Sequence, residues 1–295
     1  MADRLFVIGN GFDLHHGIPS RYRDFGRYVE GIDRKVSELI RDYLFVDKDF
    51  WNCFEERLAT FDSDHVIDYA ENFLVSYGAE DWSDADHHNF EYEIEQIVDG
   101  LSRTMRKHFA DWIRGLPIPL PGTVPLVNCI ERRAKFLNFN YTPTLQSLYG
   151  VDPGQVLHIH GSAVDPDSLI VLGHGWERQA DEMLVRQVDE DTDTRIAGGY
   201  RLIDDYFAGT FKPTEKILAQ NQAFFDGLVD VSDVFILGHS LADVDALYVA
   251  EIANKVPVTA RWTISCYKTP ETERNRFSGY GVNAELVRFA PLSTL

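Results

Sequence analysis

The stretch Leu5-Phe6-Val7-Ile8-Gly9-Asn10-Gly11 decides how the rest of the chain is read. Four consecutive apolar residues running straight into glycine describe a strand buried on both faces, as in a parallel sheet, followed by a tight turn. Beyond this turn the apolar residues take up a different period. Phe25, Val29, Ile32, Val36, Leu39, Ile40 and Tyr43 recur at helical spacing, a second segment runs over 49–61, and a weaker third over 65–77. The clearest stripe is Ile94, Ile97, Leu101, Met105, Phe109, Trp112 and Leu116. The run Leu116-Pro117-Ile118-Pro119-Leu120-Pro121-Gly122 then stops helix. Beyond it strand patterns return at Ala134–Phe139, Val156–Ile159, Leu169–Leu172, Val234–Leu237, Trp262–Tyr267 and Leu286–Phe289, separated by helical patterns such as Thr214–Val229 and Asp243–Lys255. Strand alternating with helix predicts an α/β fold, a parallel sheet with helices on both faces. The sheet domain is expected from residues 1–21 and 122–295, and a helical insertion after the first strand from 22–121. The acidic, weakly patterned residues 177–213 read as a mobile excursion, a lid, or a solvated surface.

Charge narrows the function. The chain has 295 residues with 28 Lys and Arg against 47 Asp and Glu, a net charge of −19. So acidic a protein is a poor partner for a phosphate backbone or an anionic membrane, so nucleic acid and membrane are not expected partners. The 44% hydrophobic content provides for a packed core. Cys53, Cys129 and Cys266 stand apart, without CxxC spacing, which favours a cytoplasmic location and no metal. No apolar run approaches membrane-spanning length.

Ligands of open parallel sheets bind at the carboxyl ends of the strands, and four such ends carry unusual residues. They are Gly9-Asn10-Gly11-Phe12-Asp13, Asn138-Phe139-Asn140-Tyr141-Thr142, His158-Ile159-His160-Gly161 and Gly238-His239-Ser240-Leu241-Ala242-Asp243. The glycines of the first allow backbone amides to approach a pyrophosphate. The dehydrogenase fingerprint Gly-x-Gly-x-x-Gly fails, because position 14 is Leu14. His158 is expected as a packed or hydrogen-bonded histidine on the opposite face from His160. The pairs His15-His16 and His87-His88 are expected at the surface, and His174 stands at another strand end. Asp13 is expected to cap the helix after it or to accept a ribose hydroxyl.

The longer string Gly9-Asn10-Gly11-Phe12-Asp13-Leu14-His15-His16-Gly17-Ile18-Pro19 resembles the opening motif of the sirtuin superfamily, and the later strand ends come in the sirtuin order. Within it, Ile8-Gly9-Asn10-Gly11-Phe12-Asp13 together with Phe139-Asn140-Tyr141-Thr142 is most similar to the AbiH family of bacterial phage abortive infection. The resemblance implies a Rossmann-like, sirtuin-like sheet domain with NAD as the ligand and substrate, bound by Gly9, Asn10, Gly11, Phe12 and Asp13 and, on the adenosine side, by Gly238, Ser240 and Asp243. It implies catalytic roles for Asn140, which would orient substrate or water, and for His160, which would act as base. Cleaving the bond to a cationic nicotinamide needs little acid assistance, because the ring leaves neutral; a placed water and a base of near-neutral pKa suffice. The chain departs from the sirtuins in lacking their cysteine zinc module, in carrying Asp13 for serine, and in having Arg21 and Arg23 out of register with the sirtuin arginine.

The function expected from this resemblance is an NAD hydrolase giving ADP-ribose and nicotinamide in anti-phage abortive infection. It would be a homo-oligomer answering to a phage-derived trigger or a defence partner protein. The alternative is a non-catalytic sensor of NAD or an ADP-ribose-type nucleotide.

Overall fold

The computed structural model describes residues 3–80, 82–83, 86–267 and 269–295. The described residues form two compact units, one within 3–21, 110–171 and 213–295 and the other within 22–109 and 172–212.

The first unit holds the sheet. Strand β1 (Arg4–Ile8) places Leu5 and Val7 in one core and Phe6 and Ile8 in another, as a two-residue side-chain period requires. The other strands are β2 (Lys135–Asn138), β3 (Val156–His158), β4 (Asp233–Leu237), β5 (Arg261–Cys266) and β6 (Val287–Pro291). They lie in the order β3-β2-β1-β4-β5-β6, with every neighbouring pair parallel. The chain winds outward from β1 to β3 and returns to the other side of β1 as β4. This is the doubly wound, Rossmann-like topology, and its switch point falls between β1 and β4.

Both faces of the sheet are covered. On one, Ile217, Phe225, Tyr248, Val249, Ile252 and Phe277 pack over Leu5, Val7, Val234, Ile236 and Trp262. On the other, Phe12, Leu145, Leu148 and Tyr149 pack over Phe6, Ile8 and Phe136, and Phe6 stacks between Phe136 and Phe235 at 5.2 and 4.8 Å. Each such side chain contributes roughly 1.5–3 kcal/mol by leaving water.

One expected strand is not in the sheet. After β3 ends, Gly161 takes φ +96° and turns the chain. Residues Leu169–Leu172 run past this turn instead, tied by a hydrogen bond from the Val171 N–H to the His160 carbonyl at 2.9 Å.

The second unit is helical, with helices Tyr22–Ile32, Arg34–Tyr43, Ser63–Glu71, Asp86–Asp99 and Thr194–Thr210. Asp33 breaks the first long helical pattern by capping the second helix, its carboxylate accepting from the Val36 N–H at 3.0 Å. The stripe that begins at Ile94 is helical to Asp99 and again over Met105–Arg114, with a wider π turn at Gly100–Thr104.

The stretch expected to be a mobile excursion or a solvated surface contains a 17-residue helix capped by Asp193. Its Gly198 and Gly199 meet the helix Asp86–Asp99 so closely that a Cβ on Gly199 would fall 2.5 Å from the Phe90 ring and 2.6 Å from Ile94. This unit draws on residues 22–109 and 172–212, and residues 110–121 fall in the first unit.

Candidate functional site at the carboxyl ends of the strands

The β1 turn and the β4 turn are in backbone contact. The Gly11 N–H donates to the Gly238 carbonyl at 2.7 Å, the Gly9 N–H to the Leu237 carbonyl at 3.0 Å, and the Phe12 N–H to the Gly9 carbonyl at 2.9 Å. A Cβ on Gly9 would lie 2.5 Å from the His239 Cα, one on Gly11 2.8 Å from the Gly238 oxygen, and one on Gly238 2.1 Å from the Phe12 nitrogen. Gly238 also takes φ +67°. The glycines are thus required for the close approach of two loops at the switch point. The amides of Gly9, Gly11 and Phe12 are committed within the chain and do not form the pyrophosphate cradle that the sequence suggested.

Phe12 and Asp13 are enclosed rather than presented to a ligand. Phe12 is a core residue against His16 and Tyr149. Asp13 lies inside the short helix Asn10–His15, whose N-cap is Gly9, so it does not cap that helix. Its carboxylate accepts from the Thr142 and Thr144 hydroxyls at 2.5 and 2.7 Å, which ties the β1 turn to the β2 turn. Burial raises its pKa, opposed by the bonds from Thr142, Thr144 and Asn140. Asn10 is exposed and bonded to Ser20, its Nδ2 donating to the Ser20 carbonyl at 2.9 Å. Ser240 and Asp243 are also exposed, on the loop after β4. The Arg276 guanidinium brings a cation to that loop by donating to the Ser240 carbonyl at 2.7 Å. Arg21 and Arg23 are exposed as well.

Asn140 comes after β2 and is buried. Its Nδ2 donates to the Gly9 carbonyl at 3.1 Å, and its own N–H donates to Asn138 Oδ1 at 3.0 Å. His158 supports the same turn: Nδ1 bonds the Asn140 carbonyl at 2.9 Å and Nε2 faces the Gln146 amide at 3.2 Å. Burial lowers the His158 pKa, and the bond to Asn140 opposes this. His158 is therefore the hydrogen-bonded structural histidine that the sequence suggested.

His160, just past β3, is 3% exposed. Its Nε2 lies 3.8 Å from Asp245 Oδ1, while Nε2 of His239 lies 3.5 Å from Asp245 Oδ2. Phe139 joins the group, with ring centroids 5.3 Å from His160 and 4.4 Å from His239, and Tyr248 lies 5.5 Å from His160. A partly buried carboxylate thus stands between two buried imidazoles at the ends of β3 and β4. Leu241, next to this cluster, takes φ +54°. A non-glycine residue held there costs about 1–3 kcal/mol, a strain that gathers at functional sites.

Sequence reasoning missed His239, Asp245 and Tyr248 as members of the cluster. His239 was visible within the strand-end motif, between Gly238 and Ser240.

Two other histidines have buried partners of their own. His16, expected at the surface, is fully buried. Its Nδ1 bonds the Phe12 carbonyl and its Nε2 the Tyr149 hydroxyl, both at 2.7 Å. Burial lowers its pKa, and burial pushes Tyr149 up to about 12. His174 belongs to the helical unit, where its Nε2 bonds the Thr210 hydroxyl at 3.2 Å, and burial pulls its pKa down to about 4.

Among the described residues, no group of three or more His, Cys, Asp or Glu is placed to hold a metal ion, and no helix is long and apolar enough to cross a membrane.

An all-parallel sheet in the order β3-β2-β1-β4-β5-β6, with a His–Asp–His cluster at its carboxyl edge, defines a Rossmann-like α/β protein. A model of the family described as Bacteriophage abortive infection AbiH matches residues 5–266. The chain belongs to the AbiH family, which implies a role in bacteriophage abortive infection. No curated protein and no solved structure matches it.

Proposed function

We propose that this AbiH protein is a sirtuin-like NAD glycohydrolase, releasing nicotinamide and ADP-ribose. The observation that carries the reading is the placement of buried His160, with Asp245 3.8 Å from its Nε2, at the carboxyl edge of a Rossmann-like sheet beside the turn bearing Asn140. In the proposed reaction a water oxygen bonds to the ribose C1′ as the C1′–N bond breaks. Nicotinamide leaves neutral with the bonding pair, and the water proton passes to His160. Asn140, tethered to the Gly9 carbonyl, fixes the turn over which the nicotinamide ribose would lie. Asn10, Ser240 and Asp243 supply exposed polar side chains for the rest of the dinucleotide, with Arg276 as the nearby cation. Gly9, Gly11 and Gly238 shape the floor through their loop contact, and Phe12 and Asp13 support it from below.

An NAD-destroying enzyme must be silent in a healthy cell. Homo-oligomerisation and a phage-derived trigger or defence partner, both in the cytoplasm, are therefore part of the proposal.

The tether from Asn140 to Gly9 also favours a second reading. An asparagine already bonded to backbone can serve a pocket that binds NAD or an ADP-ribose-type nucleotide without turning it over. Calorimetric titration with NAD, combined with assay of the same sample for free nicotinamide, separates the two. Binding with release supports the hydrolase, binding without release the sensor, and no binding contradicts both.

A further inference from the structure

Asp13 belongs to a closed set of oxygens with more contacts than hydroxyl protons. Its Oδ2 lies 2.5 Å from the Thr142 hydroxyl and its Oδ1 lies 2.7 Å from the Thr144 hydroxyl, while the two hydroxyls lie 3.0 Å from each other. Each threonine hydroxyl has one proton to donate, and two protons cannot fill three oxygen–oxygen contacts. With Asp13 ionised, one pair of oxygens would face each other at hydrogen-bond distance with no proton between them. A proton on Asp13 completes a ring. The acid donates to one hydroxyl, that hydroxyl donates to the other, and the second donates back to the remaining carboxyl oxygen.

Charge leads to the same state. Asp13 is 1% exposed, and among the described residues no Lys, Arg or His forms an ion pair with it. A carboxylate buried without a counter-charge is costly, and such a group neutralises instead. The titratable groups around the ring add no charge. His15 and His16, at the end of the same short helix, both have their pKa lowered by burial. The Tyr149 phenol, on the helix that Thr144 begins, is pushed up to about 12.

We infer that Asp13 carries a proton at neutral pH and is a positioning residue for Asn140. For its role in catalysis this inference rests on the hydrolase reading above. Nδ2 of Asn140 donates one hydrogen to the Gly9 carbonyl at 3.1 Å and the other to Asp13. Both amide hydrogens are thereby held by the β1 turn. The planar amide cannot flip without losing both bonds, so Oδ1 stays on the opposite side as the acceptor for the attacking water. Asp13 keeps its own proton throughout, and the water proton passes to His160 as before. The neutral acid has a second consequence. It places no fixed negative charge on the β1 turn, where a carboxylate would repel a pyrophosphate.

The test is carbon-13 NMR of the aspartate carboxyl groups in the full chain without ligand, with Asp13 assigned through its own backbone resonances. The expected result at neutral pH is the chemical shift of an un-ionised carboxyl. The shift of an ionised carboxylate at that pH overturns the inference, and the wild type alone decides it, whether or not a variant folds. Nicotinamide release measured in parallel reports on the hydrolase reading and leaves the carboxyl shift untouched, so the two can fail separately. Asp13→Asn mimics the neutral acid: its amide donates to one threonine, accepts from the other and keeps an oxygen toward Asn140. Where release is observed, Asp13→Ala, which frees the Asn140 amide to turn, should lower kcat by about 10-fold to 100-fold, the scale of a misplaced reacting group. Asp13→Asn should retain more of kcat than Asp13→Ala. Equal loss in both contradicts the positioning role.

Discussion

Gly9 and His239 are in backbone contact across the switch point of the sheet: a Cβ on Gly9 would fall 2.5 Å from the His239 Cα. The two glycines of the β1 turn serve this contact, and through it the β1 turn sets where a histidine of the site can stand.

Gly9→Ala should therefore destabilise the protein by about 1–3 kcal/mol, the usual cost of forcing atoms into a filled space. Gly238→Ala should cost more, because it adds the strain of φ +67° to a 2.1 Å clash with the Phe12 nitrogen. Urea midpoints of the two variants give the ranking, and equal midpoints to the wild type would contradict the close-approach account.

Asp13 predicts a pH dependence. Its pKa is raised on folding, so the folded state holds its proton more tightly than the unfolded state does. Stability should therefore be fullest below the ordinary aspartate pKa and fall as pH rises from there through the raised folded value. Asp13→Asn should remove this slope while keeping partners for Thr142 and Thr144. Asp13→Ala should cost about 2 kcal/mol by stranding the hydroxyls. Denaturant unfolding from about pH 4 to 7 checks both.

In the helical unit, Lys212 is fully buried with its Nζ 2.6 Å from Glu55 Oε2, and the Tyr22 hydroxyl donates to the same carboxylate. Lys212→Met should cost about 3 kcal/mol, since it leaves the partly buried Glu55 carboxylate without its counter-charge. The double variant Lys212→Met, Glu55→Gln should recover much of that loss. Thermal melts of the set test it, and additive losses would rule out coupling of the pair.

Gly199→Ala should destabilise the protein, because the Phe90 ring and Ile94 occupy the space. Gly198→Ala meets only the end of the Glu91 side chain, which can swing away, so helix propensity should offset most of its cost. Chemical denaturation of the two single variants separates them.

These glycines also explain what the sequence hid. Residues such as Leu5 to Ile8 announce a buried strand by themselves, and the strand-end motifs arise from local chemistry, so the parallel sheet and the region of the site were legible. The helix Thr194–Thr210 was not, because Gly198 and Gly199 weaken its local signal while permitting the tight crossing that stabilises it. The role of the β1 glycines was misread for a related reason. Their partner, Gly238, lies more than two hundred residues away, and the same Gly-x-Gly pattern suits an anion or a neighbouring loop. The meeting of His160, Asp245 and His239 depends on the crossover that brings the loop after β4 beside the end of β3, which no local pattern encodes.

The central claim is tested most directly by the release of nicotinamide from NAD by purified wild-type protein and by His160→Ala, both shown to be folded by matching melting curves. The account predicts release by the wild type and a fall in kcat of about 100-fold or more in the variant, the range expected for loss of a general base. Release that persists undiminished in His160→Ala would contradict it.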